Sequence, residues 1–321
     1  MSTITPYYRS VQQLLASASF SIDEYQREYK WGREQISELL DDLTSKFLSC
    51  YRDQDETAAV AGYEDYFLGS IIVSKRGPKS YLVDGQQRVS SLTLLLIYLY
   101  RMALELNLEV ANDIAPLIFS SSFGTKKFNL HIPEREPVIR ALFEGTDFNA
   151  EGHDESIQTM HARYTEIAER DLAGELDDSL PHFIYWLMAK VGLIEISTDN
   201  DAYAYAIFET MNDRGKPLSP VDMLKAFLLG PVDDAEKRRL VNQNWKNEIY
   251  ELITWGGESA PERDAACIKA WLRAQHSKSV RERRAGSTDR DWELIDGPRL
   301  GADRATLPSL GARQHRSTWP R

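Results

Sequence analysis

The sequence predicts an α+β fold, a small sheet with helices followed by a mostly helical region. Three observations carry that expectation. Tyr66–Val73 and Tyr81–Val83 are aromatic and β-branched runs separated by Lys75-Arg76-Gly77-Pro78-Lys79, which reads as a hairpin across a turn rich in breakers. Val89 to Tyr100 is almost wholly apolar and bracketed by Arg88 and Arg101; it falls short of the ~20 residues that span a bilayer and reads as a buried helix central to its domain. Residues 33–48 space their apolar side chains three or four apart, as an amphipathic helix does, and residues 234–256 and 261–277 also read as helical.

In chain order, Val11, Leu14 and Leu15 are helically spaced, so residues 10–22 read as a short helix and a link. Tyr25-Gln26-Arg27-Glu28-Tyr29-Lys30-Trp31 alternates aromatics with charged and amide side chains. It reads either as a surface loop packing its aromatics on the core, or as a recognition loop whose aromatics stack on a base or sugar while Arg27 meets a phosphate. In residues 33–48, Ile36, Leu39, Leu40, Leu43 and Phe47 form the inward face, and Glu38, Asp41 and Asp42 form a solvated face rather than a metal site. Residues 52–64 read as a loop, and residues 104–125 show no clear period. Phe128–Ile132 alternates like a strand, residues 134–144 and 155–172 read as helices, and Gly174–Ser179 reads as a break. His182–Ala189 is an aromatic-rich helix segment and Val191–Ser197 a strand. His131, with Pro133 between it and Glu134, reads as a structural histidine.

From Asp201 onward, Ala202, Ala206, Ile207 and Met211 give a helix that stops at Gly215 and Pro217. Ser219, Pro220 and Asp222 then start the next helix as N-cap, first-turn proline and first-turn acid. The corner so formed presents Asn212, Arg214, Lys216 and Lys225. In residues 234–256, Leu240, Trp245, Ile249, Leu252 and Ile253 are expected on one face. Residues 278–321 hold ten basic and six acidic residues, a local +4 that leaves −15 on residues 1–277, and the last 26 residues are expected to be unstructured.

The chain has 321 residues and a net charge of −11, which argues against a protein that coats nucleic acid non-specifically, though a basic groove is compatible with it. Cys50 and Cys267 give neither a disulfide framework nor zinc spacing, and residues 1–20 lack the pattern of a signal peptide. A reducing cytoplasm and no membrane are therefore expected.

The stretch richest in chemistry is Asp84-Gly85-Gln86-Gln87-Arg88, where a strand ends in an acid and a glycine and a helix begins with two amides and an arginine. A strand, a tight turn and a helix N-terminus bring unpaired backbone N–H groups to one point, which suits an anion. Arg88 in the first turn is placed to grip a phosphate. The competing reading has Asp84 capping the helix and Arg88 in solvent. No G-x-x-x-x-G-K-[ST] loop occurs, so this is not a P-loop enzyme.

Five blocks together resemble one family. They are Tyr25-Gln26-Arg27-x-Tyr29-x-Trp31, Phe67-Leu68-Gly69-Ser70-Ile71, Asp84-Gly85-Gln86-Gln87-Arg88, Ala206-Ile207-Phe208-Glu209-Thr210-x-Asn212-x-Arg214-Gly215, and Leu218-Ser219-x-x-Asp222-x-x-Lys225. In this order they look like the ParB/sulfiredoxin-related domain in the S part of GmrSD-type modification-dependent restriction enzymes, with similar domains in BrxU-like and SspE-like phage-defence proteins. The resemblance covers residues 25–225, about two-thirds of the chain.

The resemblance implies a ParB-like nucleotide-binding domain over residues 1–125, a mainly helical extension completing the site over 126–277, and a basic tail, disordered or truncated, over 278–321. It implies an NTP-binding and NTP-hydrolysing sensor, with Mg²⁺ and GTP, ATP or CTP as cofactors, and with DNA in modified form as partner. Asp84, Gln87 and Arg88 take the catalytic roles, and Asp84 also takes the Mg²⁺. Tyr25, Gln26, Arg27, Gly85, Gln86, Asn212, Arg214 and Lys225 bind the nucleotide. Family members often leave cutting to a His-Asn-His nuclease; the six histidines here, at 131, 153, 161, 182, 276 and 315, have no such company. The nuclease is therefore expected on a separate domain or subunit, and a homo-oligomer is compatible with the reading. The alternatives are a nucleotide-gated DNA-binding switch without hydrolysis and a non-catalytic interaction domain.

Overall fold

A six-stranded mixed sheet organises the first of two units, Met1–Pro217 and Leu218–Arg321. The computed structural model describes residues 5–17, 19–22, 28–122, 125–200, 203–204, 207–208, 220–229, 232, 234–257, 260 and 263–276. In the first unit the elements are β1 (Thr5–Ser10), α1 (Val11–Ser17), β2 (Phe20–Ser21), α2 (Arg33–Cys50), β3 (Tyr66–Arg76), β4 (Lys79–Asp84), α3 (Gln86–Glu105), α4 (Ala111–Ile118) and β5 (Phe119–Ser122). They continue with β6 (Thr125–Phe128), β7 (Leu130–His131), α5 (Glu136–Glu144), α6 (Glu155–Glu169), α7 (Leu172–Leu176), α8 (Leu180–Ala189) and β8 (Val191–Thr198). The architecture is α+β, as the sequence predicts.

The strand order is β1-β8-β3-β4-β2-β7, and β5 and β6 form a separate hairpin. The sheet thus takes strands from both sides of residue 125, with β8 between β1 and β3. β3 and β4 pair antiparallel, Val73 opposite Leu82, as the breaker-rich turn predicts. β4, β2 and β7 pair parallel, so their C-terminal ends lie on the same side of the sheet.

Ile71, Val73, Leu82 and Leu193 of the sheet belong to the core that also buries α3. Leu92, Leu94, Leu95, Leu96, Ile97 and Leu99 of that helix are all fully buried, and each contributes about 1.5–3 kcal/mol by leaving water. α3 packs against α4, α5 and α6, so its N-terminus is set by the interior of the domain. In α2, Ile36, Leu39, Leu40, Leu43 and Phe47 are buried, the face the spacing predicts.

Several expectations change. Residues 10–22 contain the expected helix, but β1 and β2 flank it; β2 has two residues, too few to show alternation. The ambiguous residues 104–125 hold α4, whose pattern Pro116 interrupts, and the start of the β5–β6 hairpin. The break expected at Gly174–Ser179 is instead the end of α7 and a 3₁₀ turn, Asp177–Ser179. Asp171 holds α7 in place by accepting from the Gly174 N–H at 3.2 Å.

In the second unit, α9 (Pro220–Leu229), α10 (Ala235–Ile253) and α11 (Arg263–His276) pack on one another. Asp234 caps α10, accepting from the Lys237 N–H at 2.9 Å. Leu240, expected on one face of α10 with Trp245 and Ile249, is 63% exposed, whereas Asn242 is buried. Four expectations lie outside the described residues: the Tyr25-Gln26-Arg27 segment, most of the helix expected over 201–211, the turn from Asn212 to Ser219 with Arg214, and the tail 278–321.

Candidate functional site

The corner between β4 and α3 is built on one residue that must lack a side chain. Gly85 has φ 85° and ψ 4°, a left-handed conformation, and is the N-cap of α3. A Cβ there would stand 3.0 Å from the Ile71 Cβ and run into its Cγ2. The first intrahelical bond is Val89 N–H to the Gly85 carbonyl, 3.0 Å, so the N–H groups of Gln86, Gln87 and Arg88 precede it. No side chain caps this end. Asp84 is therefore not a cap: it is half-buried at the end of β4, opposite Ile72, and its carboxylate has no hydrogen bond or ion pair among the described residues.

Arg88 is not in solvent either. Its Nη1 donates to the Ser70 carbonyl, and its guanidinium Cζ lies 3.4 Å from where a Gly69 Cβ would be. Gly69 has φ 121°, and the pairing of β3 with β8 shifts register between Phe67 and Gly69. A second shift, against β4, falls between Ile72 and Val73. These irregularities re-aim the strand where Arg88 and Gly85 meet it. The blocks Phe67–Ile71 and Asp84–Arg88 thus form one structure, the first serving as floor for the second.

Gln87 has a different position from the one its residue type suggests. Its Oε1 accepts from the N–H groups of Lys30 at 2.8 Å and Trp31 at 3.1 Å, and its Nε2 donates to the Glu28 carbonyl at 2.8 Å. The side chain is used as a clamp on residues 28–31. Gln86 beside it is buried, and its Oε1 accepts no hydrogen bond among the described residues.

The clamped loop is anchored deeply. Tyr29 is 1% exposed; its hydroxyl lies 2.8 Å from Ser91 Oγ and its N–H donates to Ser156 Oγ at 3.3 Å. Burial pushes the Tyr29 hydroxyl up to about 12, against the opposing hydrogen bond with Ser91. Glu28 pairs with the buried Arg135, just beyond β7, at 3.3 Å; burial lowers the Arg135 pKa and Glu28 opposes that shift. Arg163 Nη1 donates to the Trp31 carbonyl at 3.2 Å, and Arg163 Nη2 pairs with Glu166 at 2.6 Å.

The structure therefore brings Asp84, Gly85, Gln86, Gln87 and Arg88 together with Glu28–Trp31. Tyr25, Gln26, Arg27, Asn212 and Arg214 lie outside the described residues, and Lys225 is a buried residue of α9 in the second unit. Sequence reasoning missed Arg135, Arg163, Ser91 and Ser156. Ser91 alone left a signal, a hydroxyl in a leucine-rich run; Arg135 sits between two acids and reads as surface.

An uncapped helix N-terminus beside an arginine and an unengaged carboxylate can hold an anion and present it with an acid or a cation ligand. Elsewhere, two acids of α2 are engaged: Asp41 pairs with Arg170, and Asp42 accepts from the Tyr66 hydroxyl at 3.0 Å. His131 lies 3.8 Å from Glu136, and His182 bonds the Asp55 carbonyl at 2.9 Å. Among the described residues no group of three or more His, Cys, Asp or Glu side chains could hold a metal ion, and no helix is long and apolar enough to cross a membrane.

A family model described as "GmrSD restriction endonuclease, N-terminal domain" matches residues 11–229. The chain is also similar to "Uncharacterized protein MJ0686" of Methanocaldococcus jannaschii, 23% identical over 230 residues. That match covers 64% of this chain and 38% of the relative, so the chain spans well under half the length of that protein.

Proposed function

Because the chain belongs to the family of the GmrSD restriction endonuclease N-terminal domain, we infer that it is the NTP-binding and NTP-hydrolysing sensor component of a modification-dependent DNA restriction system. The observation that carries this reading is the uncapped N-terminus of α3 at Gly85, with Asp84 on one side and Arg88 on the other. The kinship with ParB/sulfiredoxin-type domains, and a cytoplasmic setting, belong to the same inference.

In this reading the N–H groups of Gln86 and Gln87 receive phosphate oxygens, and Arg88 offsets the charge that builds on the transferred phosphoryl. Arg has five N–H donors, so its bond to Ser70 leaves donors for a ligand. Gln87 acts by position, fixing the loop beside the corner. Tyr25, Gln26, Arg27, Asn212 and Arg214 supply further nucleotide contacts, and the part expected of Lys225, a buried residue of the second unit, is not carried over. Asp84 would hold Mg²⁺ through its carboxylate, which suits an ion that binds through one or two carboxylates and otherwise keeps water, and the ion would supply neutralisation of phosphate charge. DNA in modified form is the sensed partner, and cutting belongs to a nuclease domain or subunit.

Phosphate release is the test, measured with GTP, ATP, CTP and UTP, with Mg²⁺, with and without modified DNA. Turnover is expected with at least one nucleotide, and Asp84→Ala and Arg88→Ala are expected to abolish it while the protein stays folded by circular dichroism, Arg88→Ala melting somewhat lower because it loses its bond to Ser70. Unchanged turnover in both variants rejects the site.

A further inference from the structure

In the first two turns of α3 four of the six polar side chains have a partner for every buried polar atom. Gln87 holds the loop, Arg88 holds Ser70, Ser91 meets Tyr29, and Thr93 Oγ1 donates to the Val89 carbonyl at 2.8 Å. Two do not. Gln86 Oε1 and Ser90 Oγ are buried and form no hydrogen bond among the described residues. Gln86 is 8% exposed and Ser90 fully buried.

These two residues are four apart and so share one face of the helix, one turn from its uncapped end. Helical side chains lean toward the N-terminus, which tilts the Ser90 hydroxyl toward the turn that Gln86 begins. A buried hydroxyl in a helix usually bonds the carbonyl four residues back, as Thr93 does; Ser90 does not. Leaving a buried polar atom unpaired costs about 1–3 kcal/mol. Such atoms are ordinarily satisfied by protein or by ordered water, and a water needs two to four polar partners.

We propose that Gln86 Oε1 and Ser90 Oγ hold the attacking water of nucleotide hydrolysis, which makes Gln86, not Gln87, the catalytic amide; this rests on the NTP-hydrolysing reading. Gln87 has both ends of its amide committed to the loop. Gln86 has an uncommitted acceptor at the first position of the same helix end that takes the phosphates. The amide oxygen accepts a hydrogen bond from one O–H of the water and Ser90 takes part in a second hydrogen bond, which turns a lone pair toward phosphorus. The water oxygen bonds to the γ-phosphorus as the bond from that phosphorus to the β–γ bridging oxygen breaks. The nucleoside diphosphate leaves with the electron pair, and the proton of the water ends on the released phosphate. Gln86 and Ser90 neither gain nor lose a proton; they orient.

The test uses the full chain with Mg²⁺, modified DNA and the nucleotide it turns over. Gln86→Leu is expected to lower kcat about a hundredfold, the scale of a misplaced reactant, with the Kd for a non-hydrolysable triphosphate within about twofold of wild type. Ser90→Ala is expected to lower kcat in the same sense, again with Kd unchanged, and carries the test alone should Gln86→Leu fail to fold. Gln87→Leu is expected to raise KM more than it lowers kcat. Wild-type kcat in Gln86→Leu and Ser90→Ala, with Asp84→Ala inactive, overturns the water site and leaves the hydrolytic reading standing. No phosphate release by wild type from any of the four nucleotides overturns both.

Discussion

The side-chain amide of Gln87 donates to the carbonyl of Glu28 at 2.8 Å, while its oxygen accepts from the next two N–H groups along the same loop, those of Lys30 and Trp31. One side chain thus replaces three backbone partners for a loop that has no strand to pair with. Gln87→Ala should destabilise the protein by about 1–3 kcal/mol in urea unfolding, because it strands those backbone groups. Limited proteolysis should then cut near residues 28–31 faster. An unchanged digestion pattern would remove the clamp from the account.

Gly85 and Ile71 make a second testable pair. Gly85→Ala forces a side chain into a left-handed residue, at about 1–2 kcal/mol, and drives its Cβ into Ile71. Ile71→Ala on its own costs about 2–5 kcal/mol as a core truncation. The double variant should lose less than the sum, since the smaller side chain relieves the collision but not the backbone strain. Strict additivity in a double-mutant cycle would show that the two do not touch.

The buried ion pair between Arg135 and Glu28 predicts an asymmetry. Glu28→Ala leaves a nearly inaccessible guanidinium without its carboxylate, a loss of about 3–5 kcal/mol. Adding Arg135→Met should return part of it, because an apolar pair of similar volume does not need the charge compensated. Equal stability of the single and double variants by chemical denaturation would sink this reading.

Tyr29 sets an alkaline limit. Its hydroxyl ionises at about 12 in the fold against an ordinary 10.0, with burial the main cause. The folded value is the higher one, so the contribution is intact below pH 10 and is lost as pH rises from 10 through 12, where the unfolded chain sheds its proton first. Tyr63 and Tyr66 are also pushed up to about 12 and share the decline. Tyr29→Phe should make the fall in stability across that window shallower by about 1.4 kcal/mol per pH unit. Its cost at neutral pH should be about 1 kcal/mol, from the lost Ser91 contact. Parallel stability–pH curves for wild type and variant would contradict it.

The hairpin, α3 and the inward face of α2 are legible in sequence because each repeats its period several times. A strand of two residues such as β2 carries no period, and its place between β4 and β7 follows only from the chain on either side. Gly69 lies within a strand run, where a glycine often marks a bulge, a sign the strand reading of Tyr66–Val73 passes over, and the guanidinium it accommodates belongs to a residue 19 positions on. Gln86 and Gln87 are identical letters side by side. Their difference arises from the ~100° turn between neighbours on a helix, which directs one toward a loop and leaves the other within the interior. Arg135 meets Glu28 across 107 positions, a separation that local patterning does not register.

β8 lies between β1 and β3, so the strand at residues 191–198 separates two strands that begin at residues 5 and 66. During synthesis the facing edges of β1 and β3 have no partner until Thr198 has emerged. For most of its translation the chain therefore carries open strand edges, which template unwanted pairing, and the closing contact is a long-range one of the kind that slows folding. Chains cut short before residue 191 are expected to aggregate, whatever the state of the corner at Gly85.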